Sequence, residues 1–208
     1  MPACSPLPHD PTEGTMTRQL DKPIAHLSLA PYNRFAEEVY HQHAEGRILL
    51  DPPYQRASVW TTDQRLDLMF SYLSGYPTGT LIFNDRAGAR WAGERFTYAV
   101  VDGRQRLETA IAWFDGGLFI PATWLPESLI AIPVSQARDV GDGPYVCCRD
   151  LNDNGQRYVS NAMPMPVYNA KVATIEDEAR IYRLVNSGGT PHTLAELEQA
   201  GRIEHRKN

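Results

Sequence analysis

The chain has 208 residues, with 20 Lys plus Arg against 25 Asp plus Glu, a formal net charge of −5 and 42% hydrophobic residues. That apolar content excludes a wholly disordered chain, and the acidic balance excludes a histone-like coat of positive charge while leaving room for a local basic cleft. The longest apolar runs, such as Phe96–Val101 and Ile130–Val134, fall far short of the roughly 20 residues that span a bilayer, so no membrane contact is expected. The start of the chain is proline-rich and lacks Lys or Arg through Thr15, unlike a secretory leader, which makes a cytoplasmic location the expectation. Cys4 stands apart from the adjacent pair Cys147 and Cys148, and neighbouring cysteines bridge only with strain, so free thiols are expected. The length suits one compact domain over residues 22–200, between a loose tail over 1–21 and a short charged tail over 201–208.

In chain order, Asn33 is placed to cap a helix in which Phe35, Val39, Tyr40 and His43 recur at helical spacing, with Gly46 as its stop. Ile48–Asp51 reads as a short strand, and Pro52-Pro53-Tyr54-Gln55-Arg56 as a loop, because its prolines suit neither element. Thr61 and Gln64 form a capping-box signature ahead of Leu66, Met69, Phe70 and Leu73, which predicts a helix over 62–73 ended by Gly75. Thr80–Phe83 and Phe96–Val101 have strand composition, joined by a polar hairpin-like connection. A tight turn at Asp102-Gly103 then leads into a helix carrying Leu107, Ala110, Ile111 and Phe114. Further on, Leu129–Val134 and Tyr145–Cys148 are strand candidates. Thr174 opens a helix through Ile175, Ala179, Ile181, Tyr182 and Val185, which Asn186–Pro191 breaks, and Thr193 with Glu196 marks a last helix. Short strands interleaved with helices indicate an α+β domain.

The strongest chemical signal is Val100-Val101-Asp102-Gly103-Arg104-Gln105-Arg106. Glycine permits a positive-φ turn, and the helix start beyond it offers free backbone N–H groups, together an anion cradle. Arg104 and Arg106 add donors suited to phosphate. Asp102 can hold a divalent metal or orient an arginine, and Gln105 can place a water or a nucleotide edge. The plainer alternative is a surface turn with an ion pair between Asp102 and one arginine. A second candidate is Tyr54-Gln55-Arg56 with Trp60, which can stack on a base and bond its edge, or serve only to anchor the helix that follows. His41 and His43 lie two apart, a spacing that puts them on different helix faces, and Cys147-Cys148 lacks the spacing of a zinc site. No G-x-x-x-x-G-K-[ST] loop and no serine nucleophile elbow is present.

Taken in order, the stretches GRILLDPPYQRASVW, QRLDLMFSYLSGYPTGTLIF, YAVVDGRQRLETAIAWF and EARIYRLVNSGGTPHTLAEL resemble the ParB-like domain of the GmrS type, the N-terminal module of GmrSD restriction enzymes. The resemblance implies a ParB/sulfiredoxin-like α+β fold, a small mixed sheet with packed helices. It also implies nucleotide binding and hydrolysis at a motif that usually reads Asp-Gly-Gln-Gln-Arg, where this chain has Arg104 in place of the first glutamine. Gln105 stands where sulfiredoxins carry a reactive cysteine, so that chemistry is not expected. On this resemblance Asp102, Gln105 and Arg106 are the catalytic candidates. Gln55, Arg56, Gly79, Thr80, Gly103, Arg104, Arg106, Asn186 and Gly188 are the nucleotide-binding ones, with Mg²⁺ at Asp102. The implied ligand or substrate is a nucleoside triphosphate, and the implied partners are DNA and a separate nuclease subunit, since these residues encode no H-N-H nuclease. Two functions follow: triphosphate hydrolysis in DNA restriction or phage defence, or a non-enzymatic DNA- or partner-binding regulator gated by nucleotide.

Overall fold

The computed structural model describes residues 31–187. Their elements are β1 (Pro31–Phe35), α1 (Ala36–Ala44), β2 (Ile48–Leu49), α2 (Thr62–Ser74), β3 (Leu81–Asp85), β4 (Tyr98–Asp102), α3 (Arg104–Phe114), β5 (Ile120–Pro121), β6 (Arg138–Asp139), β7 (Pro144–Val146), α4 (Asp153–Ala162), β8 (Pro164–Ala170) and α5 (Ile175–Ser187). A five-stranded mixed sheet has the order β1-β8-β3-β4-β2, and β5-β7-β6 form a small second sheet. β8 runs parallel to β3 and β2 parallel to β4, whereas the β1–β8 and β3–β4 pairs are antiparallel. The α+β expectation holds.

The central strands bury both faces. On β4, Val100 joins the main core with Phe83, Met69, Leu107 and Val167, while the neighbouring Val101 turns to a smaller cluster with Ala170, Val172 and Ile181. Strand alternation thus seats α1, α2 and α3 against one core and α5 against the other. α2 begins as its sequence dictates: the Gln64 N–H donates to Thr61 Oγ1 at 3.3 Å and the Thr61 N–H donates back to Gln64 Oε1 at 3.0 Å. Its buried stripe is Leu68, Met69 and Tyr72, while Phe70 turns outward against the edge of Trp124.

Several expectations are corrected. Asn33 does not cap α1: it lies inside β1, the cap position is Phe35 without a side-chain bond, and the Ala36 N–H donates to the Met163 carbonyl. The strand expected over Ile48–Asp51 is only Ile48–Leu49, because Asp51 already precedes the prolines. Leu129–Val134 is not a strand. Pro126 and Pro133 each start a single 3₁₀ turn, at Glu127–Leu129 and Val134–Gln136, leaving one bridge between Ile130 and Leu151. β7 stops at Val146, and Cys148 opens a further 3₁₀ turn. α5 continues through Asn186 and Ser187 rather than breaking there, and its start is capped by Thr174 Oγ1, which accepts the Asp177 N–H at 3.2 Å. The tails over 1–21 and 201–208 and the helix expected at Thr193 lie outside the described residues.

Cys147 and Cys148 are unbridged, as the sequence suggests, and both are buried. Burial first, and the adjacent thiol second, push Cys148 up to about 11, so neither its access nor its ionisation suits a nucleophile at neutral pH.

Candidate functional site

The end of β4 builds the site. Gly103 caps α3 with φ +90, and a Cβ there would stand 2.1 Å from Leu81 Cδ2, so the turn admits only glycine. Among the described residues no side chain caps α3, so none of them supplies a capping acceptor to its first backbone N–H groups. They open on a cavity of about 210 Å³ lined by Gln55, Arg56, Trp60, Asp102, Gly103, Arg104, Gln105, Arg106, Tyr182 and Asn186. The two segments singled out in the sequence, Tyr54–Trp60 and Asp102–Arg106, therefore meet on one cleft. Three of its wall residues are arginines and one is a carboxylate, giving local positive charge within an acidic chain.

The side chains hold the cleft together in different ways. Gln55 Nε2 donates to the carbonyls of Val100 at 2.6 Å and Val101 at 3.1 Å, fastening the proline loop to the end of β4. Gln105 Oε1 accepts from Ser58 Oγ at 2.9 Å and from the N–H groups of Trp60 at 3.2 Å and Val59 at 3.4 Å, so it organises the approach to α2. Arg106 donates from Nη1 to the Thr78 carbonyl at 2.9 Å, and from Nη2 to the Thr80 carbonyl and Asp102 Oδ2, both at 3.0 Å. Three of its five N–H donors are thereby committed. Arg104 pairs through Nε with Glu108 Oε1 at 2.7 Å and reaches the Arg56 carbonyl with Nη1 at 3.3 Å. The Arg56 side chain is exposed, and among the described residues nothing bonds its guanidinium.

Not every candidate reaches the cleft. Gly79 and Thr80 are absent from its wall. They lie behind the Arg106 guanidinium: a Cβ on Gly79, whose φ is +78, would come 2.5 Å from Arg106 Nη1, and Thr80 contributes only its carbonyl to that arginine. The glycine at position 79 answers to the Arg106 clamp, whereas the clamp uses nothing of the Thr80 side chain. Asn186 lines the cleft edge, with its amide donating to the Tyr182 carbonyl at 2.9 Å. Gly188 lies outside the described residues. Trp60 packs partly on the main core, as its anchor role requires, and also lines the cavity.

Tyr182 was not singled out for the site by sequence. A signal existed: Glu178, Tyr182 and Asn186 repeat at i, i+4 and i+8, one stripe of α5, and all three meet the cleft or its loop, since Glu178 accepts from the Tyr54 hydroxyl at 3.1 Å. Tyr54 also contacts the Tyr182 ring at 5.7 Å between centroids. Burial, and then the charge of Glu178, raise the Tyr54 pKa well above that of an ordinary phenol, so its hydroxyl remains a donor across the physiological range.

The Mg²⁺ expected at Asp102 would find one side-chain ligand on the cleft wall. Among the described residues Asp102 is the one carboxylate on the cleft wall, its Oδ2 is taken by Arg106, and these residues contain no group of three His, Cys, Asp or Glu able to hold a metal. Mg²⁺ ordinarily keeps several waters and is held through one or two carboxylates together with substrate phosphates, so Asp102 would hold it only in company with a bound nucleotide.

No curated protein matches the chain. The profile of the GmrSD restriction endonuclease N-terminal domain matches residues 36–158, from the start of α1 through most of α4, including the Gln55–Arg56 loop and the Asp102–Arg106 turn. With the mixed sheet and the cleft at the end of β4, that match places this chain in the family of GmrSD restriction endonuclease N-terminal domains.

Proposed function

We propose that the cleft binds the phosphate groups of a nucleoside triphosphate, and that this binding is what the domain contributes to a DNA-restriction or phage-defence system. The observation that carries the reading is the convergence on one cavity of the Arg56 guanidinium and the N-terminus of α3, which have no side-chain partner and no cap among the described residues. Helix N–H groups and arginine donors are complementary to phosphate oxygens, and Trp60 and Tyr182 on the same wall offer aromatic surface for a base. At about 210 Å³ the cavity suits phosphates and part of a sugar, with the base against its rim.

Binding without turnover is the second reading, favoured by one specific observation. Asp102, Gln105 and Arg106, the residues expected to act on water or phosphate, all carry bonds that hold the fold. In that form the nucleotide is a gate for DNA or for a partner such as a nuclease subunit.

Titration calorimetry with the four ribonucleoside triphosphates and with inorganic triphosphate, each in chelator and in Mg²⁺, tests the first reading. Wild type is expected to bind, and Arg56→Ala to bind at least about tenfold more weakly, since a hydrogen bond to a charged group contributes about 1.5–3 kcal/mol. Absence of heat with every triphosphate overturns it. Phosphate release measured on the same samples separates the two readings: binding without release selects the gate.

A further inference from the structure

Glu178 is a fully buried carboxylate that touches the cleft loop through Tyr54 but does not line the cavity. Its Oε1 accepts from Asn84 Nδ2 at 2.6 Å and Arg86 Nε at 2.8 Å, and its Oε2 from Arg86 Nη2 at 2.6 Å and the Tyr54 hydroxyl at 3.1 Å. A buried ion pair is weak evidence of a stabilising role, because desolvation offsets the attraction and well-packed apolar replacements are often neutral or better. Directional bonds do fix register. These four join α5 to β3, to the segment after it, and to the loop that carries the cleft residues. Tyr54 precedes Gln55, the residue fastened to the carbonyls of Val100 and Val101, so the loop is held at consecutive residues immediately before Arg56.

We propose that Glu178, acting through Tyr54, is a positioning residue of the cleft: it fixes the Pro52–Arg56 loop against α5 so that the Arg56 guanidinium is presented to the N-terminus of α3. The affinity arm of the test rests on the phosphate-binding reading above; the exchange arm does not.

Tyr54→Phe removes the hydroxyl and leaves the ring on Tyr182. Inorganic triphosphate is expected to bind about three- to tenfold more weakly. Amide hydrogen exchange from Tyr54 to Trp60 should accelerate while exchange in β3, β4 and β8 stays at the wild-type rate, which separates positioning from general stabilisation. The paired variant Glu178→Met/Arg86→Met replaces the ion pair with apolar side chains, and the folded protein should show the same two changes. If it fails to fold, Tyr54→Phe alone decides. Wild-type exchange across the loop in Tyr54→Phe overturns the inference. A wild type that ignores triphosphate, combined with accelerated loop exchange in the variant, retires the phosphate reading and leaves the positioning role standing. Faster exchange spread evenly over loop and sheet reduces Glu178 to a structural residue and also overturns the inference.

Discussion

Arg86 and Arg56 are the same residue type in opposite circumstances. Arg86 is 4% exposed, bonded twice to Glu178, stacked on the Trp91 ring at 4.1 Å and within 3.8 Å of Glu94. Burial works against its charge, yet the bonds and charge of Glu178 outweigh that and raise its pKa. Arg56 is exposed on a cleft wall, with no partner for its guanidinium among the described residues. An arginine with every need met inside the fold has no capacity left for a ligand, whereas one held at a cavity mouth with its donors unspent has a capacity that the fold does not use. Between these extremes lies Arg106, which lines the cavity but binds two carbonyls and a carboxylate.

The comparison breaks most visibly at the buried pole. Glu178→Ala strips the buried Arg86 charge of its closest partner and leaves it only Glu94 at 3.8 Å and the Trp91 ring, and removing one partner of a buried pair costs about 3–5 kcal/mol. Thermal melts of that variant should fall far below wild type, accompanied by loss of the α5 contacts on Val101 and Ala170. A melting point near wild type would mean that Arg86 reaches solvent, and the contrast with Arg56 would collapse.

The cleft can be read from sequence to a point, and particular residues show where the reading stops. Gly103 was legible because a glycine between a strand and a helix start has few uses besides a positive-φ turn, and the helix of α3 followed from its apolar spacing. The Thr61–Gln64 cap was legible because it depends on residues three apart. β8 was not. Its Pro164 and Pro166 argue against a strand, yet both pair only with β1, since β3 reaches β8 from Val167 onward, so they cost no ladder bond on the β3 side. α4 was missed because Asn152-Asp153-Asn154-Gly155 reads as a turn, whereas Asn152 Oδ1 caps a helix by accepting the Gly155 N–H at 3.0 Å. The partnership of Glu178 with Arg86 and Tyr54 spans 92 and 124 residues, and no local pattern carries a contact of that separation. Part of the burden of Arg106 was hidden for a related reason: two of its three acceptors are backbone carbonyls, which any residue supplies, whereas its ion pair with Asp102 is the plainer alternative that the sequence already offers.

A variant at the turn sharpens the contrast from the cleft side. Gly103→Ala forces a Cβ into Leu81 and places an L-residue at φ +90. The combined strain and overpacking are expected to cost about 2–4 kcal/mol, measured by chemical denaturation. Because the same turn aims the α3 amides, triphosphate affinity should fall with stability. A Gly103→Ala protein as stable as wild type would show that the turn relaxes freely and does not set the cleft.

The smallest expected change is the most informative. Arg56→Ala removes an exposed side chain whose guanidinium has no partner among the described residues, and such substitutions alter stability by no more than about 0.5 kcal/mol. Its backbone carbonyl still accepts from Arg104 Nη1, because that bond does not involve the side chain. Denaturant midpoint and slope should therefore match wild type while triphosphate affinity drops, a separation of stability from binding that Glu178→Ala cannot give. If Arg56→Ala instead destabilised the protein by the amount expected for a buried charge, Arg56 would belong to the same class as Arg86, and the free guanidinium on which the phosphate reading depends would be part of the scaffold.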